Sequence, residues 1–102
     1  MTIDFHTHIF PDKLADKAIA KLTAIGSIPA FSDGKADGLL QCMREDRIDI
    51  SVVLNVATNA EQVENVNMFA LYVKENYTNL IPFGSLHPQS ENPRQIIKTL
   101  KD

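Results

Sequence analysis

Ile50-Ser51-Val52-Val53-Leu54-Asn55-Val56 is nearly continuous in apolar, β-branched side chains. A strand with one wet face alternates polar and apolar residues. A run without alternation is expected of a strand covered on both faces, as in the parallel sheets of α/β proteins. Helical patterns flank it on both sides. Upstream, Ala36 to Asp46 places Leu39, Leu40 and Met43 on one face, although the glycine that commonly closes a helix is replaced by Asp46-Arg47. Downstream, Thr58-Asn59-Ala60 leads into a helix over Ala60 to Glu75, with Val63, Val66, Phe69, Ala70 and Val73 as its buried stripe. Asn59 and Gln62 stand at capping-box spacing.

The same rhythm extends to both ends. Thr2 to His6 reads as an opening strand, followed by the turn Phe10-Pro11-Asp12, where the Asp12 carboxylate can cap the next helix. Leu14, Ala15, Ala18, Ile19 and Leu22 recur at helical spacing until Gly26 and Pro29. Residues 26–36 carry turn chemistry and read as a loop. Leu80 to Leu86 is the third strand; its Pro82 lacks a ladder donor and assigns it to an edge, a strand start or a bulge. Asn92-Pro93 then opens a helix with Ile96, Ile97 and Leu100 on one face. Strand and helix alternate throughout, so the fold class is α/β with a parallel sheet. The last helix begins without returning to a strand. We therefore expect one partial domain over residues 1–102, the first part of a larger α/β protein; the alternative is a domain that ends on this helix.

Composition narrows the function. The net charge of −3 does not provide the basic face of a nucleic-acid module or a polybasic membrane patch. The single cysteine, Cys42, excludes an internal disulfide framework and a cysteine-cluster zinc finger. It lies between core positions of a helix and reads as a small inert side chain. Asp4, His6 and His8 interrupt any apolar leader, so neither a signal peptide nor a membrane span is expected, and the expected location is cytoplasmic. The isolated glycines fit neither a dinucleotide fingerprint nor a P-loop. No serine or cysteine stands in a nucleophile elbow.

The chemistry-bearing stretch is Asp4-Phe5-His6-Thr7-His8. Side chains alternate along a strand, so Asp4, His6 and His8 are expected on one face. Two imidazoles there can converge on one divalent ion, with Asp4 orienting one of them as an outer partner. Ligands in α/β proteins bind beyond the carboxyl ends of the strands, where this pair falls. The other reading is two unrelated polar residues at a strand exit. His87 lies just past the third strand and either points into the same mouth or is a solvated turn residue. Asn55 either contacts a ligand or satisfies buried backbone groups.

Ile3-Asp4-Phe5-His6-Thr7-His8-Ile9-Phe10-Pro11 resembles the opening of the amidohydrolase superfamily, and more closely the amidohydrolase-related branch that also contains non-oxidative decarboxylases. Asp49 to Leu54 and Ile81 to Pro88 resemble its second and third barrel strands, so the likeness spans essentially the whole chain. The first motif carries the likeness and the other two extend it. The resemblance implies the first three βα units of a TIM (β/α)8 barrel, a fold of about 250 residues. It implies His6 and His8 as ligands of a divalent metal, usually zinc. It places Asp4 and His87 as outer-sphere or substrate-facing residues. The family's other ligands are histidines on strands five and six and an aspartate on strand eight, which also moves protons. None of these positions is in this sequence, so the isolated chain is expected to hold metal weakly or not at all and to be inactive.

Two functions follow. One is the N-terminal portion of a metal-dependent hydrolase in which an activated water attacks a C–N or ester carbonyl of a small-molecule substrate, with a metal-dependent decarboxylase as its close variant. The other is a non-catalytic remnant or assembly module. Three strands cannot close a barrel. The inward face of Ile50 to Val56 and the face of Ile81, Phe83 and Ser85 are expected to lie open, and self-association is expected to cover them.

Overall fold

The computed structural model describes residues 1–27, 29 and 32–101. Positions 28, 30 and 31 of the expected loop, and residue 102, lie outside the described residues. Three parallel strands, β1 (Ile3–Thr7), β2 (Ile50–Leu54) and β3 (Leu80–Phe83), form one sheet in the order β1-β2-β3. Helices α1 (Asp12–Gly26) and α2 (Ala36–Asp46) connect the first two strands. A 3₁₀ turn at Ala60–Gln62 and helix α3 (Val63–Asn76) connect the second and third, and α4 (Pro93–Lys101) follows β3. The α/β class and the parallel sheet expected from the sequence are present. No helix among the described residues is long and apolar enough to cross a membrane.

The core lies between the sheet and the two helices α2 and α3. Ile9, Ala36, Met43, Val53, Val73 and Leu80 form one buried cluster, with Leu39, Leu40, Ile48, Phe69 and Tyr77 packed against it. β2 buries Ser51, Val52 and Val53 in succession, as its unbroken apolar run requires. The expectation that this central strand would lie open is therefore corrected at these residues; Val53 packs into the cluster with Met43 of α2 and Val73 of α3. The openness falls on β3, where Ile81 is 44% and Phe83 54% exposed, and on Val56 at 48%.

Local chemistry sets the boundaries. Asn59 accepts the Gln62 N–H at 3.0 Å, while Gln62 Oε1 accepts both the N–H and the hydroxyl of Thr58 at 2.8 Å. The capping box is thus formed, with its return bond one residue earlier than the spacing suggests. Asp12 does not cap α1. Pro11 occupies the cap position, with no side-chain bond, and Asp12 is the first helical residue, where its charge favours the positive end of the helix dipole. Gly34 is left-handed, at φ +73°, and its carbonyl accepts the Phe10 N–H at 2.8 Å. A Cβ there would run into Ile19 and Phe10, so this turn needs glycine. Gly84 lies beneath the Leu100 side chain of α4.

The missing glycine after α2 is replaced by Arg47 in the left-handed region, φ 57°. The N–H of Ile48 closes the helix on the Met43 carbonyl at 2.8 Å. A side chain at such an angle costs on the order of 1 kcal/mol. Arg47→Gly is expected to raise stability by about 0.5–1 kcal/mol in urea unfolding, the gain being trimmed by glycine's greater freedom in the unfolded chain.

Candidate functional site

β1 departs from simple alternation. Asp4 pairs with Ser51 and Thr7 with Val53, so one extra residue is accommodated in β1 between them. Asp4 Oδ1 accepts the backbone N–H of His6 at 3.0 Å, a local bond that competes with the ladder. Beyond the irregularity alternation resumes: Thr7 and Ile9 are buried, His6 and His8 exposed. The expected common face therefore holds for His6 and His8. It fails for Asp4, which falls in register on the helix-covered side with Ser51 and spends an oxygen on backbone instead of an imidazole.

The two imidazoles meet. Their Nε2 atoms are 3.1 Å apart, and the rings stand edge to face with centroids 4.9 Å apart. His8 Nδ1 lies 2.8 Å from the Leu54 carbonyl oxygen. A carbonyl only accepts, so Nδ1 carries the proton and His8 Nε2 is left with a bare lone pair when the ring is neutral. The Nε2–H of His6 donates to it. Thr7, between them, turns inward and donates its hydroxyl to the Val52 carbonyl at 2.7 Å, which anchors this strand exit to β2.

A cavity of about 270 Å³ opens beside His8, lined by Thr7, His8, Ser32, Leu39 and Cys42. Cys42, which the sequence marks as inert, is half-buried and lines this hollow. A larger hollow of about 420 Å³ is formed by Glu91 to Gln95 and holds no candidate residue.

His87 is half-buried. Its Nδ1 accepts the Gln89 N–H at 3.1 Å, and its carbonyl accepts the Ser90 N–H at 3.0 Å. Among the described residues no group of three or more His, Cys, Asp or Glu side chains is placed to hold a metal, so neither His87 nor Asp4 joins the histidine pair. Asn55 donates its amide to the Phe83 carbonyl at 2.8 Å, tying the β2 exit to the β3 exit.

Sequence reasoning missed the residue that orders the segment before His87. Asn67 Oδ1 accepts the Ser85 N–H at 2.7 Å, and its Nδ2 donates to the Ser85 carbonyl at 3.0 Å. The signal was available: Asn67 lies four residues after Val63 and three before Ala70, a polar residue on the buried side of α3. Asn67→Ala is expected to cost about 1–3 kcal/mol and to speed amide exchange at Ser85, while Asn67→Asp keeps only the bond from the Ser85 N–H.

Comparison with protein-family models, with curated proteins and with solved structures finds no match to this chain.

Proposed function

We propose that this chain is the N-terminal portion of a metal-dependent hydrolase of the amidohydrolase type, folded as the first three βα units of a (β/α)8 barrel. The histidine pair carries this reading: two Nε2 atoms 3.1 Å apart at the carboxyl end of the first parallel strand. The strand order β1-β2-β3 supports it, since successive strands are neighbours in a barrel.

The pair fits two positions around a divalent ion. Nitrogens on one tetrahedral zinc, at bonds of about 2.0–2.1 Å, stand roughly 3.3 Å apart. Metal-bound imidazoles commonly give their other N–H to a carbonyl, as His8 does to Leu54. When bound, such an ion supplies Lewis-acid polarisation of a carbonyl and acidifies a water. His6 and His8 would hold it through their Nε2 lone pairs, with His8 Nδ1–H kept on the Leu54 carbonyl. No general base is assigned among these residues, and turnover by the 102 residues alone is not expected.

Zinc affinity tests the reading. Zinc bound by the wild-type chain in titration with a zinc-responsive dye, and weakened in both His6→Ala and His8→Ala, supports it; affinity unchanged in both variants overturns it. A second reading, a non-catalytic assembly module, is favoured by the lack of a third ligand among the described residues. Metal separates the two, since neither reading expects turnover from these 102 residues and only the first needs zinc at His6 and His8.

A further inference from the structure

We infer that Asn55 is a positioning residue for His8: its side-chain amide steadies the carbonyl that decides which His8 nitrogen is left for a metal. The inference rests on the metal-binding reading of the pair and goes beyond it by naming what stands behind the ligand.

Which nitrogen of an imidazole carries the proton is set by the hydrogen bond the other one makes. His8 keeps Nε2 bare because its Nδ1–H is held by the Leu54 carbonyl at 2.8 Å. That oxygen is one of a pair. Val52 and Leu54, two apart on β2, both turn their carbonyls to the end of β1, where the first accepts the Thr7 hydroxyl at 2.7 Å and the second the His8 ring. β1 ends at Thr7, so side-chain donors continue its ladder past the last backbone bond. β2 repeats the device toward β3. It ends at Leu54, and the next residue, Asn55, donates its Nδ2 to the Phe83 carbonyl at 2.8 Å.

The Leu54 oxygen belongs to the peptide unit that joins Leu54 to Asn55. The unit is planar, so holding both of its ends fixes the direction of its carbonyl. Leu54 is held at one end by its register with Phe83. The other end lies past the strand, and the Asn55 amide ties it to β3. The next tie, the Ala57 N–H on the Ser85 hydroxyl at 3.2 Å, comes two residues later and acts on a different peptide unit. Loss of the Asn55 amide frees the Leu54–Asn55 unit to rotate. The carbonyl then swings off His8, and the ring is released to the tautomer protonated at Nε2, the nitrogen a metal needs.

Imidazole nitrogen resonances, recorded at about pH 8 where a free imidazole is neutral, read the tautomer with no metal present. Titration with a zinc-responsive dye reads affinity on the same protein. Asn55→Ala and Asn55→Leu both remove the donor, one leaving space and the other filling it. Both are expected to keep the wild-type circular dichroism spectrum, to shift His8 from Nδ1–H toward Nε2–H, and to bind zinc about 10-fold more weakly, the low end for a group behind a ligand. Asn67→Ala is the control. It loosens the β3 exit at Ser85 without touching the Leu54–Asn55 unit, and it is expected to change neither quantity. The wild-type tautomer in both Asn55 variants overturns the inference, as does wild-type affinity in both. Equal changes in Asn67→Ala also overturn it, because they mark a general loosening of the strand exits. Zinc affinity unchanged in both His6→Ala and His8→Ala overturns the metal reading instead, and the tautomer alone then decides whether Asn55 sets the His8 ring.

Discussion

Val53→Asp is expected to leave the chain unfolded at 25 °C. Val53 is fully buried at the centre of the middle strand, within the cluster of Ile9, Met43, Val73 and Leu80. No cationic side chain belongs to that cluster, so a carboxylate there is either charged without a partner or protonated at a cost of several kcal/mol. A domain of this size has only about 5–15 kcal/mol to lose. Far-ultraviolet circular dichroism reads the result directly. Met43→Ala supplies the graded companion: a cavity beneath α2 is expected to cost about 2–5 kcal/mol, seen as an earlier urea midpoint with an unchanged slope. A native-like spectrum for Val53→Asp would mean that β2 is not the centre of the core.

The second large effect is on metal and not on folding. His8→Ala removes one Nε2 and the ring that receives the His6 proton, and zinc affinity is expected to fall at least about 100-fold. The fold is expected to lose about 1 kcal/mol, because His8 is exposed and gives up two solvent-accessible hydrogen bonds, to the Leu54 carbonyl and from His6. Competition with a zinc-responsive dye and a urea curve on the same sample separate the two quantities. Equal affinity in variant and wild type would remove the pair from any metal site.

Much of this fold was legible in residue spacing. Ala36 to Asp46 is helical over the expected span, because the stripe of Leu39, Leu40 and Met43 admits one period. β2 and β3 were read too long at their carboxyl ends. β2 stops at Leu54 because the amide of Asn55 turns to the Phe83 carbonyl. β3 stops at Phe83 because Ser85 is bonded to Asn67 instead of to a strand. Both are contacts between distant residues that no local pattern contains. The closure of α2 by a left-handed Arg47 was hidden because arginine carries no turn signal. In the candidate site, the shared face of His6 and His8 was legible because alternation holds between them. Asp4 was misplaced because one residue of irregularity intervenes. His87 was placed at the right strand end, but its Nδ1 serves its own turn.

Helix α4 buries none of its residues and meets β3 through Leu100 lying over Gly84. Its link to the rest of the molecule is therefore thermodynamically separate from the core. α4 can melt and re-form while β2 stays intact, a local opening with a free energy far below that of global unfolding. Its amides are expected to exchange with solvent deuterium on the order of 10³-fold or more faster than those of Val52 and Val53. The molecule thus has a cooperative unit built on the sheet, α2 and α3, and a second, weaker unit in α4, which leaves Ile97 and Leu100 partly exposed.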